Sequence, residues 1–165
     1  MPTLFLGHGA SGDARSMAPW VAALRPNGVE ARTLQLPKAN AERAADVFRT
    51  SLRELPDAAI GGHSYGGRAA SLVAAGQDVT ALILLSYPLH RPGHPDDLRT
   101  DHWPRITCPV LVLSGDHDQF ANIELLRREV RKLRTHELVV LPGQRHGLLA
   151  VKEEAAARIA AFLSV

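Results

Sequence analysis

The sequence has a single cysteine, Cys108, among its 165 residues. No internal disulfide can form, which excludes a disulfide scaffold and points to a reducing, cytoplasmic setting. Charge of one sign is scarce too. Nineteen basic and 17 acidic residues leave a net +2, too small an excess to imply a nucleic-acid partner. No apolar run approaches the roughly 20 residues of a membrane-spanning helix, so no membrane association is expected. No basic segment precedes the first apolar run at Thr3, so a signal peptide is not expected. Internal repeats, low-complexity tracts and linkers are missing as well. What the chain does have is apolar content, 45% of its residues. A chain of this length buries roughly 70% of its unfolded surface, so it needs no staples. One domain over residues 1–165 is expected. Histidine is also plentiful, with eight residues, and these are either a site or an accident.

The apolar pattern alternates between strand and helix. Residues 3–6 read as a buried strand running into Gly7-His8-Gly9-Ala10-Ser11-Gly12. A helix follows over 17–24, with Ser16 as candidate cap and Pro19 in its first turn. Residues 29–34 form a second strand. A helix over 41–55 carries the stripe Ala44, Ala45, Phe48, Leu52 and Leu55, with Asn40 as its cap. A strand over 58–60, a small-residue helix over 68–75 and a strongly apolar strand over 81–85 come next. The pattern then breaks. Residues 86–109 hold five prolines and three histidines (His90, His94, His102), a long loop with one helical turn at 96–99. Such loops in compact domains are usually functional. Strands over 110–114 and 137–141 and helices over 122–133 and 152–163 complete the chain.

This order predicts an α/β three-layer sandwich of about six mostly parallel strands with helices on both faces. Right-handed crossovers put every strand-to-helix turn on one edge, where open α/β sheets bind ligands.

Three of those turns carry chemistry. Gly62-His63-Ser64-Tyr65-Gly66 matches G-x-S-x-G between a predicted strand and a predicted helix, the context this motif requires. It marks Ser64 as the nucleophile. After the sixth strand, His146 is placed to take and return the serine proton. After the fifth strand, Asp116 and Asp118 compete to orient that histidine. Asp118 lies further into the loop and is preferred. The order Ser64, Asp118, His146 is itself informative, because triads on other folds run in other orders. The N–H of Tyr65 and that of Ala10, after the first strand, are the candidate oxyanion donors.

The motifs His8-Gly9-Ala10, Gly62 to Ala70, Ser86-Tyr87-Pro88-Leu89-His90, the segment 110–118 and His146-Gly147 resemble the α/β-hydrolase superfamily over essentially the whole chain. The likeness is greatest to its short, cap-free dienelactone-hydrolase-like branch. That resemblance supports Asp118 over Asp116 and Ala10 as second donor. It implies a serine hydrolase that cleaves a small carboxylic ester or thioester through an acyl-enzyme on Ser64, with no cofactor or metal, as monomer or homodimer. His8, Tyr87 and His90 are expected to contact substrate. Two departures stand out. Dienelactone hydrolases proper use cysteine where this chain has Ser64. Leading antiparallel strands and a cap are missing, and 86–109 is too short for a cap, which implies a shallow, open site.

Other readings compete. Gly7 to Gly12 also fits G-x-G-x-x-G, but the second strand ends Leu34-Gln35-Leu36 without the acid that a dinucleotide site requires. The loop histidines are an alternative zinc set, without any C-x-x-C to support it. Arg127, Arg128, Arg131, Lys132 and Arg134 read as a solvated helix face. Arg68 reads as a structural residue that holds nearby loops, with a substrate carboxylate as its alternative partner. Trp103 either lines the pocket or pins the loop. The rival from another class is a catalytically silent hydrolase fold that serves as a binding or scaffold module. Hydrogen-bond reach between Ser64 and His146 separates the two.

Overall fold

The computed structural model describes residues 1–164. Its strands are β1 (Thr3–Gly7), β2 (Glu30–Leu34), β3 (Ala59–His63), β4 (Leu82–Leu85), β5 (Val110–Gly115) and β6 (His136–Leu141). They form one sheet in the order β2-β1-β3-β4-β5-β6, and every pairing is parallel. The helices are α1 (Ala18–Leu24), α2 (Ala41–Glu54), α3 (Tyr65–Gly76), α4 (Ile123–Glu129) and α5 (Lys152–Leu163).

The central strands are apolar on both faces because both faces are covered. Leu4, Leu6, Ile83, Leu85, Leu111 and Leu113 pack with Trp20 and Leu24 of α1 and Ile159 of α5. Their neighbours Phe5, Leu82, Leu84, Val110 and Val112 point the other way, onto Phe48 of α2, Val73 of α3 and Leu126 of α4. This period of two sorts side chains into two layers. β2 is an edge strand, and its exposed Glu30 and Arg32 pair with each other, a polar edge that discourages further strand addition.

Local signals explain most element ends. Asn40 caps α2 by accepting from the Arg43 N–H at 3.0 Å, and Asn122 caps α4 by accepting from Leu125 at 3.1 Å. Ser16 does not cap α1. A 3-10 turn over Ala14–Met17 precedes that helix, and Asp13 is the residue that caps the turn. β3 runs on through Gly61 and Gly62 to His63, and α3 begins at Tyr65, three residues before the expected start. Glycine obscured that boundary, because it carries no side chain from which to read a period. In the loop 86–109 the helical turn lies at Trp103–Arg105 rather than at 96–99. Pro104, the second residue of that turn, has its φ already fixed near the helical value, which favours a helical turn there.

Candidate active site

The sheet order reverses between β1 and β3, and Ser64 and Ala10 follow those two strands. Such a switch point leaves a crevice above the strand ends. Ser64 stands there at φ 51° and ψ −117°, a region that non-glycine residues avoid at a cost of about 1–3 kcal/mol. Its neighbours make the strained turn possible. A Cβ on Gly62 would sit 2.6 Å from the Gly7 carbonyl oxygen and 2.7 Å from the Gly66 backbone. A Cβ on Gly66 would run into the Gly7 backbone. The glycines of G-x-S-x-G are therefore required by the close approach of α3 to β1 and β3.

His146 and Asp118 complete a hydrogen-bonded chain with Ser64. The His146 Nε2 lies 2.8 Å from Ser64 Oγ. Its Nδ1 lies 2.9 and 3.0 Å from the two Asp118 carboxylate oxygens. A carboxylate only accepts, so Nδ1 carries the proton and Nε2 is left to accept from the serine hydroxyl. Asp118 is fully buried and also accepts from the Phe120 N–H at 2.8 Å. The competing Asp116 faces elsewhere. It pairs with His117 at 2.6 Å and accepts from the Gly143 N–H at 2.8 Å, tying the β5 turn to the β6 turn. The half-buried Asp116 has its pKa lowered, first by the His117 bond and then by the Gly143 amide.

The imidazole of His146 is held from two sides. Phe120 stacks on it with ring centroids 4.3 Å apart, and the His63 ring lies at 5.2 Å. The His63 Nε2–H donates to the His146 carbonyl at 2.9 Å. Burial lowers the His63 pKa, which keeps a second cation away from His146. Gly9 leaves space for this ring, since its Cβ would come within 3.2 Å of His63 Nδ1. Sequence reasoning missed Phe120. The only signal was its position two residues after Asp118.

The chain opens into a cavity of about 730 Å³. Ala10 and Tyr65 both line it. The Tyr65 N–H is the first of α3, where no intrahelical acceptor exists. The Tyr65 hydroxyl points away, donating to the Pro37 carbonyl and accepting from the Asn40 N–H, and so anchors the β2–α2 connection to the elbow. Trp20, Pro88, Arg68, Arg99, Leu148 and Leu149 form other parts of the wall.

The three residues expected to contact substrate do not reach this cavity. His8 is fully buried, with its Nε2 accepting from the Leu36 N–H at 3.0 Å and its Nδ1–H donating to the Gly9 carbonyl at 2.8 Å. Tyr87 is fully buried, donates to the Arg99 carbonyl at 2.6 Å and packs edge-on against Trp103. Burial pushes its pKa up to about 12. His90 accepts from the Asn122 N–H at 3.0 Å and donates to the Arg91 carbonyl at 2.8 Å. All three bind loops to one another. No group of three or more potential metal ligands occurs among the described residues. Nor, among them, is any helix long and apolar enough to cross a membrane.

The sheet order, the strained serine turn and the surrounding helices define the α/β-hydrolase fold. The chain belongs to the family described as alpha/beta hydrolase domain, whose model matches residues 2–162. Solved structures agree on the fold. Est1E from Butyrivibrio proteoclasticus, in a structure with ferulic acid bound, superposes with TM-score 0.82 at 18% identity, over 99% of this chain and 90% of that one. A monoacylglycerol lipase from Paleococcus ferrophilus gives 0.83 at 16% identity, covering 98% and 93%. An alpha-beta serine hydrolase homologue from Coxiella burnetii gives 0.76 at 19% identity, covering 96% and 84%. The family supports hydrolase activity.

Proposed function

We propose that residues 1–165 act as one cap-free serine hydrolase domain that cleaves small carboxylic esters or thioesters. The observation that carries this reading is the unbroken chain from Ser64 through His146 to Asp118, with contacts of 2.8 and 2.9 Å, at a strained elbow facing a cavity. A silent binding module would not require such an alignment. The esterase and lipase character of structural neighbours is in keeping with ester chemistry. A place beside the dienelactone hydrolases is the finer form of the same proposal.

Ser64 Oγ attacks the ester carbonyl carbon while its proton passes to His146 Nε2. Asp118 holds the ring in this tautomer and stabilises the imidazolium. The N–H groups of Ala10 and Tyr65 receive the oxyanion, and a donor of this kind contributes about 3–4 kcal/mol to lowering the barrier. The tetrahedral intermediate collapses, and the imidazolium proton goes to the departing alkoxide or thiolate. Water then attacks the acyl-enzyme with His146 as base again. This releases the acid and restores the Ser64 hydroxyl. No cofactor takes part in this route.

Turnover of 4-nitrophenyl acetate tests the proposal. Ser64→Ala is expected to lower kcat by about 10⁵-fold or more. With an open site, acetyl and butyryl esters are expected to outpace decanoyl esters. Equal turnover by wild type and Ser64→Ala contradicts the mechanism, and a clear preference for long chains contradicts the open site.

A further inference from the structure

Two positive side chains line the Ser64 cavity, and among the described residues no carboxylate forms an ion pair with either. Arg68 lies one turn into α3, and Arg99 lies in the loop 86–109. Among the described residues neither forms an ion pair. The Arg68 guanidinium makes no hydrogen bond there, and Arg99 makes a single long one, 3.4 Å to the Pro88 carbonyl. Among the described residues no aspartate or glutamate lines the cavity. The acid of the hydrogen-bonded chain, Asp118, has a fully buried side chain engaged with His146.

The backbones of these residues, not their charges, do the structural work. The Arg68 N–H donates to Ser64 O at 3.0 Å, and its carbonyl accepts from Ser71 Oγ at 2.6 Å. The Arg99 N–H donates to Leu89 O at 2.9 Å, and its carbonyl accepts from Tyr87 at 2.6 Å. Of the two roles expected of Arg68, holding nearby loops or meeting a substrate carboxylate, the first receives no side-chain hydrogen bond among the described residues. Both residues are half-buried. Burial lowers the Arg99 pKa, and the adjacent Arg68 charge lowers it further. The exposed Asp97, shared with Arg91 at 3.7 Å, offsets the Arg99 charge only in part, so the two like charges still repel and an anion between them relieves that repulsion. Guanidinium groups match carboxylate and phosphate in a planar, two-pronged fashion.

We propose that Arg68 and Arg99 form an anion subsite of the Ser64 cavity, so that the substrates are esters or thioesters bearing a carboxylate or phosphate away from the scissile bond. The inference rests on the serine-hydrolase reading for the position of that bond. The subsite sets specificity, and the chemistry stays with Ser64.

The test compares 4-nitrophenyl half-esters of adipic and suberic acid, which carry a free carboxylate, with the same esters capped as neutral methyl esters. The ratio of kcat/KM, anionic over neutral, is expected to exceed about tenfold, mostly through KM. It is expected to fall by that factor in Arg68→Gln and Arg99→Gln. Ser64-dependent turnover with a ratio near one, or a ratio that neither substitution moves, overturns the subsite and leaves the hydrolase reading standing. Binding covers the reverse case. Calorimetric titration of Ser64→Ala with monomethyl adipate, butyl phosphate and neutral dimethyl adipate requires no chemistry. Preference for either anion over the diester, lost in Arg68→Gln, supports the subsite even when no ester turns over, and the stronger of the two names the group. Equal binding of all three overturns it.

Discussion

The turns around Ser64 and the loop 86–109 start from the same edge of the sheet and draw on the same residue types. They use them in opposite ways. Around the cavity, polar groups are left with capacity to spare. The Ser64 hydroxyl is held at 2.8 Å from an acceptor, and the Tyr65 N–H heads a helix with no internal partner. In the loop, polar groups are turned inward and matched. His90 binds Asn122, Tyr87 binds Arg99, Thr100 binds the buried Glu129, and His102 lies 2.7 Å from Ser71 Oγ. Two buried groups of the loop, Ser86 Oγ and the Trp103 indole N–H, lack a partner among the described residues, and Arg99 differs from both because its side chain is left for the cavity. Residue type and sheet edge therefore do not identify a substrate-contacting group. What does is whether its hydrogen bonds are already committed within the protein.

The comparison breaks if damage to the two regions gives one phenotype. The largest separation is expected within the β5 turn. Asp118→Asn should lower kcat/KM by about 10⁴-fold with little change in stability, because it disturbs the tautomer rather than the fold. Asp116→Asn, which removes a turn contact, should stay within about tenfold of wild type on the same substrate. Equal losses would place the orienting carboxylate elsewhere.

The loop should answer in stability instead. Trp103 is fully buried against Tyr87, and its indole N–H has no acceptor among the described residues. Trp103→Ala therefore loses packing alone, about 3–5 kcal/mol by urea unfolding. A variant of unchanged stability with lost activity would make Trp103 a site residue.

A smaller effect concerns pH. Burial, followed by the charges of Arg105 and Arg68, lowers the His102 pKa to about 4. The unfolded chain takes up this proton near pH 6.5, and the folded chain excludes it. The stabilisation is thus complete above pH 6.5 and is lost as pH falls toward 4, by roughly 3 kcal/mol at most. His63, also lowered by burial, acts with the same sign. Urea unfolding at pH 7.5 and 4.5 should show this loss, and His102→Gln should shrink it. An unchanged pH slope in that variant would move the effect to other groups.

Much of this was legible in the chain. Apolar strands, most of them separated by helical stripes, define the sheet, and G-x-S-x-G names the elbow because glycines are demanded there by backbone contact. Asp118 could be preferred over Asp116 from loop position. The failures have physical causes. His8, Tyr87 and His90 lie close to the site along the chain, and only the fold turns their side chains into the protein. Phe120 and Arg99 enter the cavity from loops whose course no periodicity encodes. The serine elbow also hid the end of β3 and the start of α3, because its glycines carry no pattern.

The most direct test of the central claim is covalent labelling of the folded wild-type protein with a fluorophosphonate probe, followed by peptide mapping. One adduct is expected, on Ser64, absent in Ser64→Ala and strongly slowed in His146→Ala. No adduct on folded protein, or an adduct that persists in Ser64→Ala, would contradict that claim.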